Sequence, residues 1–215
     1  MGRWSERLVC RYDSNTGLFQ APLGARPWNA NPNERQTETY VRLTVKASPI
    51  NGRGVFAEDP IRQGELIHRM GGRRVSLVRC IAEIVTGSIR IDDPLSIQKY
   101  KYLVLDEFSI LFNHCCEANA GLANEVDLVA LTDISQGEEI TFDYSMTVRP
   151  SLYTTFWKMP CNCGTPLCRK KIGDVRSVPL QHLQKYLNAG ALQDFILASL
   201  KVGETRVPDA TPSGT

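Results

Sequence analysis

No stretch of this chain is apolar over the twenty or so positions that a membrane-spanning helix requires. Charge of one sign is not in excess either: 25 Lys and Arg face 23 Asp and Glu, a net charge of +2 that gives little support for a nucleic-acid partner. The opening MGRWSERLVC carries Arg3, Glu6 and Arg7 instead of an apolar core, so no secretory leader is expected. Glu6 also stands where a myristoylation signal needs Ser or Thr. No internal repeat is found. Together these absences predict a protein of a reducing intracellular compartment, cytoplasm or nucleus, not secreted and without a membrane partner.

What is present is an ordinary globular composition. Without the tyrosines but with the glycines, the apolar share is about 46%, and a domain of this size buries roughly 70% of its unfolded surface without a disulfide framework. The seven cysteines are an odd number, so a scheme of disulfides alone leaves one over. Cys161, Cys163 and Cys168 fall within eight residues, and Cys115 and Cys116 are adjacent. In a reducing compartment, clustered cysteines are metal ligands more readily than cross-links.

Residues 1–38 read as a polar arm, because Gln20 to Glu38 holds three prolines and three asparagines without periodicity. Short strands are predicted at Tyr40–Ala47, Val55–Ala57, Glu65–His68, Tyr100–Leu105, Ile110–Phe112, Val126–Leu131 and Glu139–Tyr144. The Asn51-Gly52 turn lies between the first two. Ser76–Val85 spaces its apolar residues as a helix does, and so does Pro179–Leu200, with a break near Asn188-Ala189-Gly190. Gly203–Thr215 reads as a disordered tail.

Four segments stand in order: Asn51-Gly52-Arg53-Gly54-Val55-Phe56-Ala57, Phe112-Asn113-His114-Cys115-Cys116-Glu117-Ala118-Asn119, Gly137-Glu138-Glu139-Ile140-Thr141-Phe142-Asp143-Tyr144 and Cys161-Asn162-Cys163-Gly164-Thr165-Pro166-Leu167-Cys168-Arg169. Together they resemble the compact stand-alone SET-domain lysine methyltransferases with a post-SET zinc segment. The resemblance implies a mainly β SET fold, small sheets around a pseudoknot, with a zinc-binding post-SET segment and C-terminal helices. It divides the chain into an arm (1–38), a SET domain (39–148), a post-SET segment (149–176), a helical segment (177–202) and a tail (203–215).

The resemblance also implies roles. Gly52, Arg53 and Gly54 would grip the methionine end of S-adenosylmethionine through main-chain atoms. Asn113 would hold the cofactor's amino-acid moiety, and backbone beside His114 its adenine. Tyr144 would lie at the methyl-transfer point and orient a neutral lysine amine, touching the cofactor as well. Phe142, where a Tyr would crowd the amine, implies that di- or trimethylation is allowed. Tyr100 or Tyr102 resembles a further site tyrosine; alternation puts them on opposite faces, and Tyr102 is taken as the one facing the site. Cys161, Cys163 and Cys168 lack one ligand for a closed tetrahedral zinc, and in the family the cysteine two places after the motif histidine, here Cys116, supplies it.

Departures from the family pattern are Ala118 in place of proline and Cys115 in place of serine. Arg73-Arg74 and Arg169-Lys170-Lys171 read as solvated turns, His68 and His182 as ordinary histidines, and Cys10, Cys80 and Cys115 as free thiols. The expected function is methyl transfer to a protein lysine. A peptide or small-molecule amine as acceptor, or a non-catalytic SET-like binding module, are the alternatives, and the oligomeric state is open.

Overall fold

Short stretches that alternate in polarity have one apolar face to bury, and they do so here as small antiparallel sheets. The computed structural model describes residues 11–13, 18–20, 34–35, 38–91, 93–149 and 159–203, with 11–13, 18–20, 34–35, 38–39 and 201–203 as backbone. Most of the predicted arm and the tail beyond Gly203 lie outside the described residues. Where the arm is described it is strand: β1 (Arg11–Asp13) pairs with β2 (Leu18–Gln20), followed by β3 (Glu34–Arg35) and β4 (Glu38–Thr39).

Next come β5 (Leu43–Ala47) and β6 (Arg53–Ala57), paired with Val45 opposite Val55. Ser48 closes their turn, its hydroxyl accepting the Ile50 N–H at 3.0 Å, and Gly52 takes φ +50°, where a β-carbon is disfavoured. β7 (Leu66–Arg69) and β8 (Gly72–Ser76) take up the last part of the arm: β4 pairs with β7 and β3 with β8. Helix α1 (Leu77–Val85) starts on Ser76, whose hydroxyl accepts the Arg79 N–H at 3.3 Å. It buries Cys80 and Glu83, while Glu83 pairs with Arg73 at 2.6 Å and Arg79 at 2.5 Å. β9 (Pro94–Gln98) and β10 (Lys101–Leu105) complete a sheet of order β3-β8-β10-β9. A second sheet, β11-β12-β7-β4, is made with β11 (Ala120–Ala123) and β12 (Asp127–Ala130).

Side chains of both sheets and of the β5–β6 hairpin meet in one core, in which Val55, Ile67, Met70, Leu103, Leu128 and Ile140 are fully buried. Each contributes roughly 1.5–3 kcal/mol by leaving water. His68 is an ordinary core histidine as expected, fully buried, with its Nε2 3.0 Å from the Ser109 hydroxyl and its ring against Phe108 and Phe112.

Two predicted strands take other forms. Ile110–Phe112 is part of a 3-10 turn over Ser109–Leu111, because Asp106 accepts the N–H groups of Phe108 and Ser109 and winds the chain. Glu139–Tyr144 is extended but makes isolated bridges instead of a ladder. Phe142 pairs in parallel with both His114 and Ala120, so the 114–120 loop begins and ends alongside it. This is the threaded centre of the fold. Beyond a 3-10 turn at Tyr144–Thr147, β13 (Met159–Pro160) and β14 (Lys171–Ile172) bracket the cysteines. Then α2 (Leu180–Asn188) and α3 (Asp194–Gly203) cover a second core of Leu131, Met146, Val175, Tyr186, Leu192 and Ile196. The helical break falls at Ala189-Gly190, as predicted; Gly190 has φ +61°.

Candidate active site and cysteine cluster

The glycine turn and Asn113 are joined by hydrogen bonds. The Asn113 amide donates to the carbonyls of Arg53 (3.0 Å) and Asn51 (3.3 Å) and to Glu139 Oε1 (2.8 Å). Glu139 is held from the other side by the Ser48 hydroxyl, at 2.8 and 2.9 Å from its two oxygens. Gly54 permits this crowding. A β-carbon there would overlap Glu139 Oε1, lie 2.7 Å from its Cδ and stand 3.1 Å from Asn113 Nδ2. The result is a group of acceptors, two carbonyls and a carboxylate, gathered around one buried carboxamide. Such a group fits a ligand that presents an ammonium, as the amino-acid end of S-adenosylmethionine does.

Tyr144 starts its 3-10 turn beside this pocket. Its hydroxyl donates to the Phe112 carbonyl at 2.7 Å, and its ring lies 4.7 Å from that of Phe142. Both rings line a cleft whose other walls are largely apolar: Pro94, Leu95, Leu105, Ile110, Val148 and Met159. His114 stands behind them. Burial lowers its pKa to about 4; Asp143 opposes that shift and Arg169 adds to it, so the ring is neutral at physiological pH. Its Nδ1 accepts the Tyr144 N–H at 3.1 Å, which leaves the proton on Nε2, 3.4 Å from Cys116 Sγ.

The sulfurs of Cys116, Cys161, Cys163 and Cys168 all lie within 4.8 Å of one another. The Cys116–Cys161 and Cys161–Cys168 separations are 3.7 and 3.6 Å. A tetrahedron with zinc–sulfur bonds of about 2.3 Å has edges of about 3.8 Å, so the cluster fits a four-thiolate zinc with no position left for water. Burial raises the Cys116 and Cys161 thiols. Cys163 is also raised by burial, but hydrogen bonds from the Cys116 main chain and from Thr165 outweigh this and bring it down to about 6. Cys80 and Cys115 are free, as expected, and both are buried, while Cys10 lies outside the described residues. Cys115 stands in for a serine: its sulfur accepts the Glu117 N–H at 3.3 Å, and burial pushes the thiol up to about 12.

Two groups outside the expected set brace these parts. Arg169 is not a solvated residue: its side chain is 11% exposed and donates to both oxygens of buried Asp143 at 2.7 Å. Asp143 precedes Tyr144 and accepts the Ser145 N–H at 3.0 Å, capping the turn that Tyr144 begins. From α2, Lys185 donates to the Ala118 carbonyl at 3.1 Å, and a His182 ring nitrogen lies 3.2 Å from the Cys116 carbonyl. The turn that has Ala118 instead of proline is therefore held by α2.

This geometry has counterparts. Residues 52–145 match the SET domain family. The chain carries a SET domain. Over 152 residues, 62% of its length, it is 30% identical to the histone-lysine N-methyltransferase trithorax of Drosophila melanogaster. Over 170 residues, 71% of its length, it is 26% identical to the H3 lysine-36 specific histone-lysine N-methyltransferase of Homo sapiens. It spans only 4% and 6% of the lengths of these two relatives. Among solved structures, the methyltransferase domain of human histone-lysine N-methyltransferase SETMAR aligns with a TM-score of 0.51 at 17% identity. That alignment covers 64% of this chain and 60% of the other, a likeness of fold.

Within the SET domain, Asn113 is bonded to the turn that holds Gly52, Arg53 and Gly54, and Phe142 and Tyr144 line the cleft, with His114 accepting the Tyr144 N–H. The described residues lining the cleft include neither Tyr100 nor Tyr102. Tyr102 alternates with Leu103 and Leu105, which face the core and cleft, so it stands on the other face of β10. Tyr100 sits at the β9–β10 turn with φ +67°, and its ring is in contact with the Lys99 and Arg149 cations. Glu139, Asp143 and Arg169 had lain inside the quoted motifs without a role, and only their partners reveal one. Among the described residues no helix is long and apolar enough to cross a membrane.

Proposed function

We propose that the protein transfers a methyl group from S-adenosylmethionine to the side-chain amine of a protein lysine, and that it works in a reducing compartment with one structural zinc per chain. The observation that carries this is that Tyr144 lines the apolar cleft while its hydroxyl is tied to the Phe112 carbonyl, next in the chain to Asn113 and its cluster of acceptors. Bound S-adenosylmethionine would supply a methyl group activated on a sulfonium.

The residues of the chain then have three tasks. Asn113, the Arg53 carbonyl and Glu139 would hold the donor's amino-acid end. The apolar walls at Leu95, Leu105, Ile110 and Met159 would admit the lysine stem and disfavour a charged ammonium. Losing that proton at pH 7.4 costs a lysine about 4 kcal/mol in water, and desolvation in the cleft lowers the cost. With its own proton committed to Phe112, the Tyr144 oxygen would accept from the amine and direct its lone pair in line with the methyl. This is catalysis by positioning. Phe142, which offers no hydroxyl to hold a methylated amine in one pose, supports di- and trimethylation.

Incubation of the full chain with radiolabelled S-adenosylmethionine and a panel of proteins, peptides and small amines tests the reading. Label on protein lysine is the expected result. Label on small amines alone would make this a biosynthetic N-methyltransferase, and no label with no donor binding would make it a SET-like module without turnover.

A further inference from the structure

Arg169 lies one residue past the last cysteine of the cluster, yet its side chain turns inward to the strand end that carries Tyr144. Its two terminal nitrogens bridge Asp143 at 2.7 Å each, and one also donates to the Ser145 hydroxyl at 3.2 Å. Its main-chain N–H donates to Cys116 Sγ at 3.3 Å. One residue therefore touches both a sulfur of the cluster and the residue that caps the Tyr144 turn. His114 runs parallel to it, between the Tyr144 N–H and Cys116 Sγ.

A buried ion pair of this kind is weak support for stability, because desolvating both charges offsets most of their attraction. The surroundings add to that cost. Arg169 Nε is buried without a partner, and the Tyr186 hydroxyl of α2 lies near the Asp143 main chain, short of hydrogen-bond geometry. A packed apolar pair would hold the two segments together as well. It would not fix the direction of the Asp143 carboxylate, which a planar two-pronged guanidinium does. The arrangement is suited to placement more than to stability.

We propose that Arg169 is a positioning residue that couples metal occupancy of the four-cysteine cluster to the placement of Tyr144. The inference rests on reading the cluster as a zinc site and Tyr144 as the residue at the reacting centre. With the four thiolates drawn together, Cys116 fixes the Arg169 main chain, the guanidinium fixes Asp143, and Asp143 sets where the Tyr144 turn begins. With the cluster open, that chain of contacts has no fixed end.

Hydrogen exchange of the full-length protein, followed by mass spectrometry on the peptide covering Asp143–Thr147, reads this without any need for turnover. Removing zinc from the wild type should raise exchange in that peptide. Arg169→Gln should raise it while zinc stays at one per chain. Asp143→Asn touches no cysteine, yet it should speed zinc release to a chromogenic chelator by about ten- to a hundredfold, the range that outer ligand contacts command. Arg169→Lys keeps the charge but not the fork, and should resemble Arg169→Gln in exchange. Where turnover is measurable, kcat should fall by about ten- to a hundredfold with donor affinity kept. If Arg169→Gln does not fold, Ser145→Ala removes one of the three guanidinium bonds and should shift exchange the same way to a smaller extent.

Wild-type exchange unchanged by zinc removal, or a zinc-loaded Arg169→Gln or Ser145→Ala protein exchanging like wild type, would overturn the proposal. So would a folded protein that takes up no zinc. Absence of methyl transfer with the exchange linkage intact would refute the proposed function and leave the coupling standing.

Discussion

Adding one methyl group at Gly54 should disable the donor pocket while leaving the fold in place. The backbone there is not left-handed, so the substitution Gly54→Ala is opposed by space and not by conformation. The new β-carbon overlaps the Glu139 carboxylate, 2.7 Å from Cδ, and crowds Asn113 Nδ2 at 3.1 Å. Glu139 can swing outward, but it then gives up the Ser48 and Asn113 hydrogen bonds. Hydrogen bonds to a charged group contribute roughly 1.5–3 kcal/mol each when buried. Glu139 is half-exposed, so water recovers part of this, leaving a net loss of about 1–2 kcal/mol. That corresponds to a Tm lower by about 2–8 °C in a chain of this size. Donor binding should suffer more, because the displaced carboxylate and the crowded carboxamide are both groups proposed to hold the ligand; a loss of about tenfold or more is expected, or at least 1.4 kcal/mol. Calorimetric titration with S-adenosylmethionine and thermal melts of Gly54→Ala, Glu139→Ala and the double variant form the assay. The double variant has no carboxylate to displace, so the two costs should be non-additive by about 1 kcal/mol. Additive losses, or a Gly54→Ala protein that binds donor like wild type, would refute the reasoning.

Other outcomes follow from the same geometry. Metal analysis of the purified protein should give about one zinc per chain, and Cys116→Ser should lose tight binding and lower the melting temperature; unchanged stoichiometric zinc would remove Cys116 from the ligand set. Phe142→Tyr should narrow the products toward monomethyl-lysine in a mass-spectrometric product analysis, and an unchanged product ratio would count against a role in product degree. Tyr186→Phe removes a buried hydroxyl that has no hydrogen-bond partner, so it should be neutral or stabilising by about 1 kcal/mol in chemical denaturation; marked destabilisation would show that the hydroxyl is bonded after all. The rate should rise between about pH 7 and 9 as more lysine becomes neutral, and a flat profile would mean that deprotonation does not limit it.

The parts of the site that were legible in the sequence are those whose chemistry demands a residue type at a spacing. Cys161, Cys163 and Cys168 announce a metal cluster through spacing alone, and the distant Cys116 joined them only through the family resemblance. Helix α1 and the break at Ala189-Gly190 followed from periodicity and glycine. Strand β8, Gly72–Ser76, could not be read: its sequence GRRVS has no apolar alternation, and its ladder comes from pairing with β10. Strand β9 could have been read, since Leu95 and Ile97 alternate and Pro94 suits the start of an edge strand. Glu139–Tyr144 looks like a strand because it is extended and apolar, but its partners are isolated positions of β6 and of a loop that straddles it, which no local pattern encodes. Arg169 misled for a related reason. Followed by two lysines it looks solvated, and only the fold brings it to Asp143.

Tyr144→Phe tests the central claim most directly. The change keeps the ring against Phe142 and removes only the hydroxyl that reaches Phe112. In a single-turnover experiment with S-adenosylmethionine saturating both proteins, methylated lysine is counted by mass spectrometry on an accepted peptide. The account predicts methyl transfer by the wild type and loss of most of it in Tyr144→Phe, with donor affinity nearly unchanged. Equal single-turnover rates in the two proteins would contradict it.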